Sequence, residues 1–81
     1  MIESVHSASY SKLIAVLVAA RLEAGFTQQE IAGRLGKPQS YVAKIEGGER
    51  RLDVVEFIAL AKAMNVDPKK LFSSVVQATQ D

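Results

Sequence analysis

Residues Thr27 to Glu46, TQQEIAGRLGKPQSYVAKIE, constrain this chain more than any other stretch, because they read as two short helices joined by a tight turn. Ala32 lies midway along the first and is small enough for a second helix to cross it closely. Gly36, four residues on, ends that first helix, since glycine enters positive φ without steric cost and lets the chain turn sharply. Val42 and Ile45, three apart and so on one face, point the second helix back at Ile31 and Leu35. A small residue, a glycine and an apolar pair at these offsets restrict the fold far more together than any one does alone.

The neighbouring helix starts are equally explicit. Thr27 and Glu30 form a capping box, in which each side chain caps the other's backbone, with Phe26 and Ile31 as the hydrophobic staple around it. Asp53 and Glu56 repeat the device, stapled by Leu52 and Phe57. Helix two is therefore expected over Gln28 to Leu35. Helix four is expected over Val54 to Met64, where Phe57, Leu60, Ala61 and Met64 recur at core-facing spacing. Helix three is expected from Pro38, a good first helical residue because its missing N–H would be unpaired anyway, to Glu46, before Gly47 and Gly48. Helix one is expected from Ser7 or Ser9, both able to cap, to about Ala24, with Gly25 as its stop. Its apolar residues run nearly all round between Leu13 and Ala20, which requires cover on more than one side. A fifth helix starts after Asp67 with Pro68 in its first position, stapled by Val66 and Leu71. With no strand pattern or internal repeat, the expected class is all-α, a compact five-helix bundle containing a helix-turn-helix. Residues 1–8 read as an N-terminal extension, 9–74 as the folded domain and 75–81 as a tail.

A chain of 81 residues supports one domain that buries about 60 to 65% of its unfolded surface, so capping must stabilise it alongside the core. The absence of cysteine removes disulfides and thiolate metal sites, which suits a reducing cytosol. The single histidine, His6, stands in a polar stretch without partners and is expected to be solvated, so no metal or cofactor is expected. The run LIAVLVAA after Lys12 resembles a targeting core, but Glu3 precedes it, Arg21 follows it, and a bilayer span needs about 20 apolar residues. It is expected to be a buried helix of a cytoplasmic protein with no membrane contact. Enzymatic readings lack parts: there is no Cys-His or Ser-His-Asp set and no glycine-rich phosphate loop, and Glu30 and Glu56 serve as caps. No catalysis is expected.

The formal net charge is only +1, weak for a nucleic-acid binder. Its distribution matters more, because charges farther apart than a Debye length of about 8 to 10 Å are largely screened. Between Arg34 and Arg51, five cations (Arg34, Lys37, Lys44, Arg50, Arg51) stand against Glu46 and Glu49, a local surplus of +3. Near-neutrality overall lowers non-specific affinity without excluding DNA.

The runs GFTQQEIAGRLG, PQSYVAKIEGG and LAKAMNVDPKKLF resemble the phage-repressor (Xre-like) helix-turn-helix family of bacterial and phage regulators, over roughly Leu13 to Phe72. The resemblance implies that helix three enters the major groove of DNA. It implies a phosphate-gripping role for Thr27 and Gln28, where backbone N–H groups and the helix dipole favour an anion. Gln39 and Ser40 match the first exposed positions of the recognition helix, and Lys44, one turn on, matches another base-reaching position. Glutamine bonds bidentately to adenine and lysine donates to guanine. Ala43 is expected against a thymine methyl and Tyr41 at a phosphate or the turn. Lys37, Arg50 and Arg51 are expected at the phosphate backbone, which positions without specifying sequence. Arg21 and Glu46 match a pair that forms a largely buried salt bridge in related repressors and orients the recognition helix, while Ala32 and Gly36 are structural.

The expected function is a sequence-specific DNA-binding transcriptional regulator acting as a homodimer on a two-fold symmetric operator. One domain reads few base pairs, and a dimer places two helices about 34 Å apart on one face of DNA. So short a chain is expected to dimerise through the bundle itself, by helix five with Val75 and Val76 or helix one with Ile14 and Val18. The alternative is an antitoxin or protein-binding adaptor of the same fold, with a toxin or other protein as partner.

Overall fold

Ser7 starts the first helix: its hydroxyl accepts the Tyr10 N–H at 3.1 Å, taking up a donor that the helix itself leaves unpaired. The computed structural model describes residues 7–80, and His6, with the rest of the expected extension before Ser7, lies outside them. Among the described residues the structure is all α, in the order α1 (Ala8–Ala24), α2 (Gln28–Leu35), α3 (Gln39–Glu46), α4 (Val54–Ala63) and α5 (Pro68–Thr79). Both capping boxes are formed: Thr27 with Glu30 opens α2, and Asp53 with Glu56 opens α4.

Leu17, Ile31, Val42 and Ile45 are the largest fully buried side chains, and Ala32 is buried beside them. The small Ala32 lets α3 pack closely on α2, and Gly36, at φ 69, supplies the left-handed residue that redirects the chain between them. The buried side of α1 is the stripe Tyr10, Ile14, Leu17 and Arg21, and the helix packs against both α3 and α5. Leu13, Val16, Val18 and Ala20 add a half-buried shell around that stripe, which accounts for the nearly uninterrupted apolar run in the sequence. No helix among the described residues is long and apolar enough to cross a membrane.

Three boundaries differ from the sequence expectation. Pro38 is the cap of α3 and not its first residue: its ψ of 156° is extended, and its ring offers no acceptor to the helix N–H groups. The last residue of α4 is Ala63, followed by Met64 and then Asn65 in the left-handed region at φ 62. Asparagine tolerates that region better than other side chains, so it does here what glycine does after α1 and α2. The third difference is the largest. Residues 75–79, expected in a tail, complete α5, and Val75 is buried. Val75 lines an apolar crevice with Leu13, Leu52, Phe57 and Phe72, so this turn belongs to the core. The polar residues that suggested a tail are accommodated by back-bonding: Thr79 Oγ1 donates to the Val75 carbonyl at 3.0 Å, and Ser74 Oγ to that of Lys70 at 3.4 Å.

Candidate nucleic-acid interface

Because Val42 and Ile45 face inward, α3 turns its other side to solvent. Gln39, Ser40 and Lys44 are exposed, and Ala43 and Tyr41 are half-buried at the edges of that face. One end of α3 is fixed by charge. Among the described residues, Arg21 is the single buried charged one, and its Nε and Nη2 donate to the two Glu46 carboxylate oxygens at 2.7 and 3.0 Å. Its Nη1 donates to the Phe26 carbonyl at 2.8 Å, so the same guanidinium also holds the turn before α2. The hydrogen bond to Glu46 raises the Arg21 pKa against the opposing effect of burial, so the guanidinium stays charged.

Gln28 belongs to this assembly as well. Its Nε2 donates to Glu46 Oε1 at 2.8 Å, and its Oε1 accepts Gln39 Nε2 at 2.8 Å. Gln28, to which the resemblance gives a phosphate-gripping role, thus also links the buried ion pair to the first exposed residue of α3. Thr27 is exposed; its hydroxyl accepts the Glu30 N–H at 3.0 Å and retains its own proton for donation.

The loop after α3 corrects the expectation for Arg50. Its Nη2 donates to Glu56 Oε2 at 2.7 Å and its guanidinium lies 4.8 Å over the Tyr41 ring, so Arg50 braces the loop against α4 instead of standing free for phosphate. Tyr41 completes the brace: its hydroxyl donates to Glu56 Oε2 at 3.4 Å, which gives it the turn rather than a phosphate, and Lys37 Nζ approaches the same ring at 5.2 Å. Burial, then the Glu56 charge, push the Tyr41 hydroxyl pKa up, which keeps it a donor. Glu56 is held down to about 2, first by Arg50 and then by the Asp53 backbone N–H. It is thus both the cap expected of it and the partner of Arg50, a second role that the sequence reading missed. The available signal was that a carboxylate at the third helical position faces back toward the preceding loop, where Arg50 lies. Arg51 is exposed and stacks 4.6 Å over Tyr10, whose hydroxyl accepts the Leu52 N–H at 3.0 Å.

The helix-turn-helix family model matches residues 17–71. An XRE-family like protein from Pseudomonas syringae pv. tomato is 47% identical, with 93% of this chain and 92% of that one covered at a TM-score of 0.85. The chain belongs to the XRE family of helix-turn-helix transcriptional regulators. The restriction-modification controller protein C.Esp1396I has the same fold, at 25% identity, a TM-score of 0.83, and coverage of 94% of this chain and 97% of that one. An uncharacterized HTH-type transcriptional regulator of Sinorhizobium fredii, y4dJ, is 37% identical over 51 residues. That match spans 63% of this chain and 66% of y4dJ, just under two thirds of its length.

The charge pattern of this XRE-family protein survives the two ion pairs. Glu46 is neutralised by Arg21, and Arg50 by Glu56. The cations without a salt bridge in this stretch, among the described residues, are Arg34, Lys37, Lys44 and Arg51, against Glu49 alone, again a surplus of three positive charges. Arg34 is held 4.7 Å over the Phe26 ring, near the start of α2.

Proposed function

We propose that this XRE-family protein is a sequence-specific DNA-binding transcriptional regulator that inserts α3 into the major groove of a two-fold symmetric operator as a homodimer. The observation that carries the reading is the division of α3. Val42 and Ile45 are buried and Glu46 is locked to Arg21, while Gln39, Ser40 and Lys44 are presented outward from a rigid support. Gln39, Ser40, Ala43 and Lys44 read bases in this proposal; Thr27, Lys37 and Arg51 hold phosphate, which fixes register without carrying sequence information. Arg50 acts indirectly, by shaping the loop that bears Arg51. The protein works in the cytoplasm with DNA as its ligand, and has no catalytic role.

The dimer surface assigned here is the exposed apolar cluster of Val54, Val55 and Ile58 on α4 with Phe72 and Val76 on α5. Two of the sequence candidates are unavailable: Val75 and Ile14 are buried within the bundle. Contiguous exposed aliphatic and aromatic side chains of this kind mark association surfaces, and a two-fold dimer uses one such patch on both copies.

Selection from random duplexes, followed by titration of the best site at several salt concentrations, tests the proposal. The expected result is an inverted repeat, with log K falling by about 0.9 per phosphate contacted for each unit of log salt. An antitoxin or adaptor would draw on the same α4–α5 surface for a different protein. Absence of selected sites and of a salt slope would favour that reading.

A further inference from the structure

The core asks only for an apolar side chain at position 10, which opens the buried stripe that continues through Ile14 and Leu17. The chain places a tyrosine there, and both parts that distinguish it from an aliphatic residue are engaged by the loop after α3. The hydroxyl accepts the Leu52 N–H at 3.0 Å. The ring lies under the Arg51 guanidinium, whose carbon is 4.6 Å from the ring centroid. Tyr10 is itself firmly seated: it is 7% exposed, and its own N–H is held by the Ser7 hydroxyl that caps α1.

The main chain is fixed on both sides of Arg51. Before it, Arg50 donates to Glu56 at 2.7 Å and to the Arg51 carbonyl at 3.3 Å. After it, the Leu52 N–H is held by Tyr10, directly before Asp53, the cap of α4. Arg51 remains exposed between these anchors, and among the described residues no carboxylate pairs with it. An unrestrained arginine loses rotamer freedom when it grips a phosphate. Contact with an aromatic ring removes part of that freedom beforehand while leaving the positive charge uncompensated.

We propose that Tyr10 is a positioning residue for DNA binding: its ring holds the Arg51 guanidinium and its hydroxyl holds the Leu52 N–H, so that the first turn of α1 presents Arg51 to the phosphate backbone. The proposal rests on the phosphate-holding role given to Arg51 above. It brings into the interface a helix that lies outside the helix-turn-helix, through a residue that itself touches no DNA.

The test is a double-mutant cycle in the full chain, with Tyr10→Leu made alone and together with Arg51→Ala. Affinity is measured on the selected operator and on a mismatched duplex, under conditions where circular dichroism shows every variant folded. Tyr10→Leu should weaken both duplexes alike, by about two- to fivefold, the worth of an exposed cation over a ring. In the Arg51→Ala background the same substitution should cost nothing further. An equal loss in both backgrounds, or a loss confined to one duplex, overturns the proposal, since Tyr10 would then act on the fold at large or on base reading. In the free protein, the side-chain resonances of Arg51 should shift on Tyr10→Leu, because the ring current is lost; unmoved resonances overturn it as well. If Arg51→Ala weakens binding and Tyr10→Leu does not, the proposal alone fails. If Arg51→Ala changes no affinity, the phosphate role of Arg51 fails and the proposal with it. Tyr10→Phe keeps the ring and guards against a Tyr10→Leu chain that does not fold. Its Leu52 amide should exchange faster with solvent, and its smaller loss of affinity should again vanish with Arg51→Ala; a loss that persists there overturns the proposal.

Discussion

Arg50 and Glu56 are joined at 2.7 Å across the start of α4, so the carboxylate that caps the helix also fastens the loop leading into it. The Glu56 Oε1 atom accepts the Asp53 N–H at 3.0 Å while Oε2 takes Arg50 and the Tyr41 hydroxyl. One ionised group therefore sets a helix boundary, a loop and the edge of the recognition helix together.

That role makes the brace sensitive to acid. The Glu56 carboxyl is depressed from its ordinary 4.5 to about 2 in the folded protein, so its contribution is complete above about pH 4.5 and is lost as pH falls through 2. The difference in thermal midpoint between the parent protein and Glu56→Gln should be full near neutrality and shrink steadily below about pH 4.5. A difference that stays constant down to about pH 2 would show that Glu56 gains nothing from its charge.

The buried pair behaves differently. Arg21→Met leaves Glu46 without its cation in a site where both side chains are about 10% exposed or less, and the expected cost is about 3 to 5 kcal/mol in urea unfolding. Adding Glu46→Leu should recover much of that loss, because it removes the stranded charge. If the double variant is no more stable than the single one, the pair stabilises mainly through its hydrogen bonds to Phe26 and Gln28.

How much of this was legible in the sequence depended on distance along the chain. Capping boxes at Thr27 and Asp53 join residues three apart, and the spacing alone identifies them. The bonds that organise the interface join Gln28 to Glu46, 18 residues apart, and Gln39 to Gln28, 11 apart. Glutamine serves equally well as a solvated, phosphate-bound or internally bonded side chain, so its type carries no sign of which partner it takes. The end of α5 was hidden for another reason: Ser74 and Thr79 bond to carbonyls of their own helix, and polar composition looked like a tail. Val75, four residues beyond the buried Leu71, was the trace of the continuing stripe.

Association is expected to depend on the α4–α5 cluster. Val55 is 74% exposed, so Val55→Glu should leave the fold and its helix content unchanged while shifting sedimentation toward the monomer. Phe72→Glu should act in the same direction, with some loss of stability from its edge-to-face contact with Phe57 at 6.0 Å. Sedimentation of Val55→Glu identical to that of a dimeric parent would move the interface elsewhere.

On DNA, Gln39 and Arg51 should separate the two kinds of contact. Gln39→Ala is expected to lose about 1 to 3 kcal/mol on the operator and to relax discrimination at one base position, because a groove-reading amide is removed. Arg51 stacks on Tyr10 with its N–H groups free for phosphate, so Arg51→Ala should weaken all sequences alike and reduce the salt slope by about 1. Titrations of both variants on matched and mismatched duplexes at three salt concentrations distinguish these outcomes. Equal loss on every sequence for Gln39→Ala would make it a backbone contact, and an unchanged slope for Arg51→Ala would place that guanidinium outside the interface.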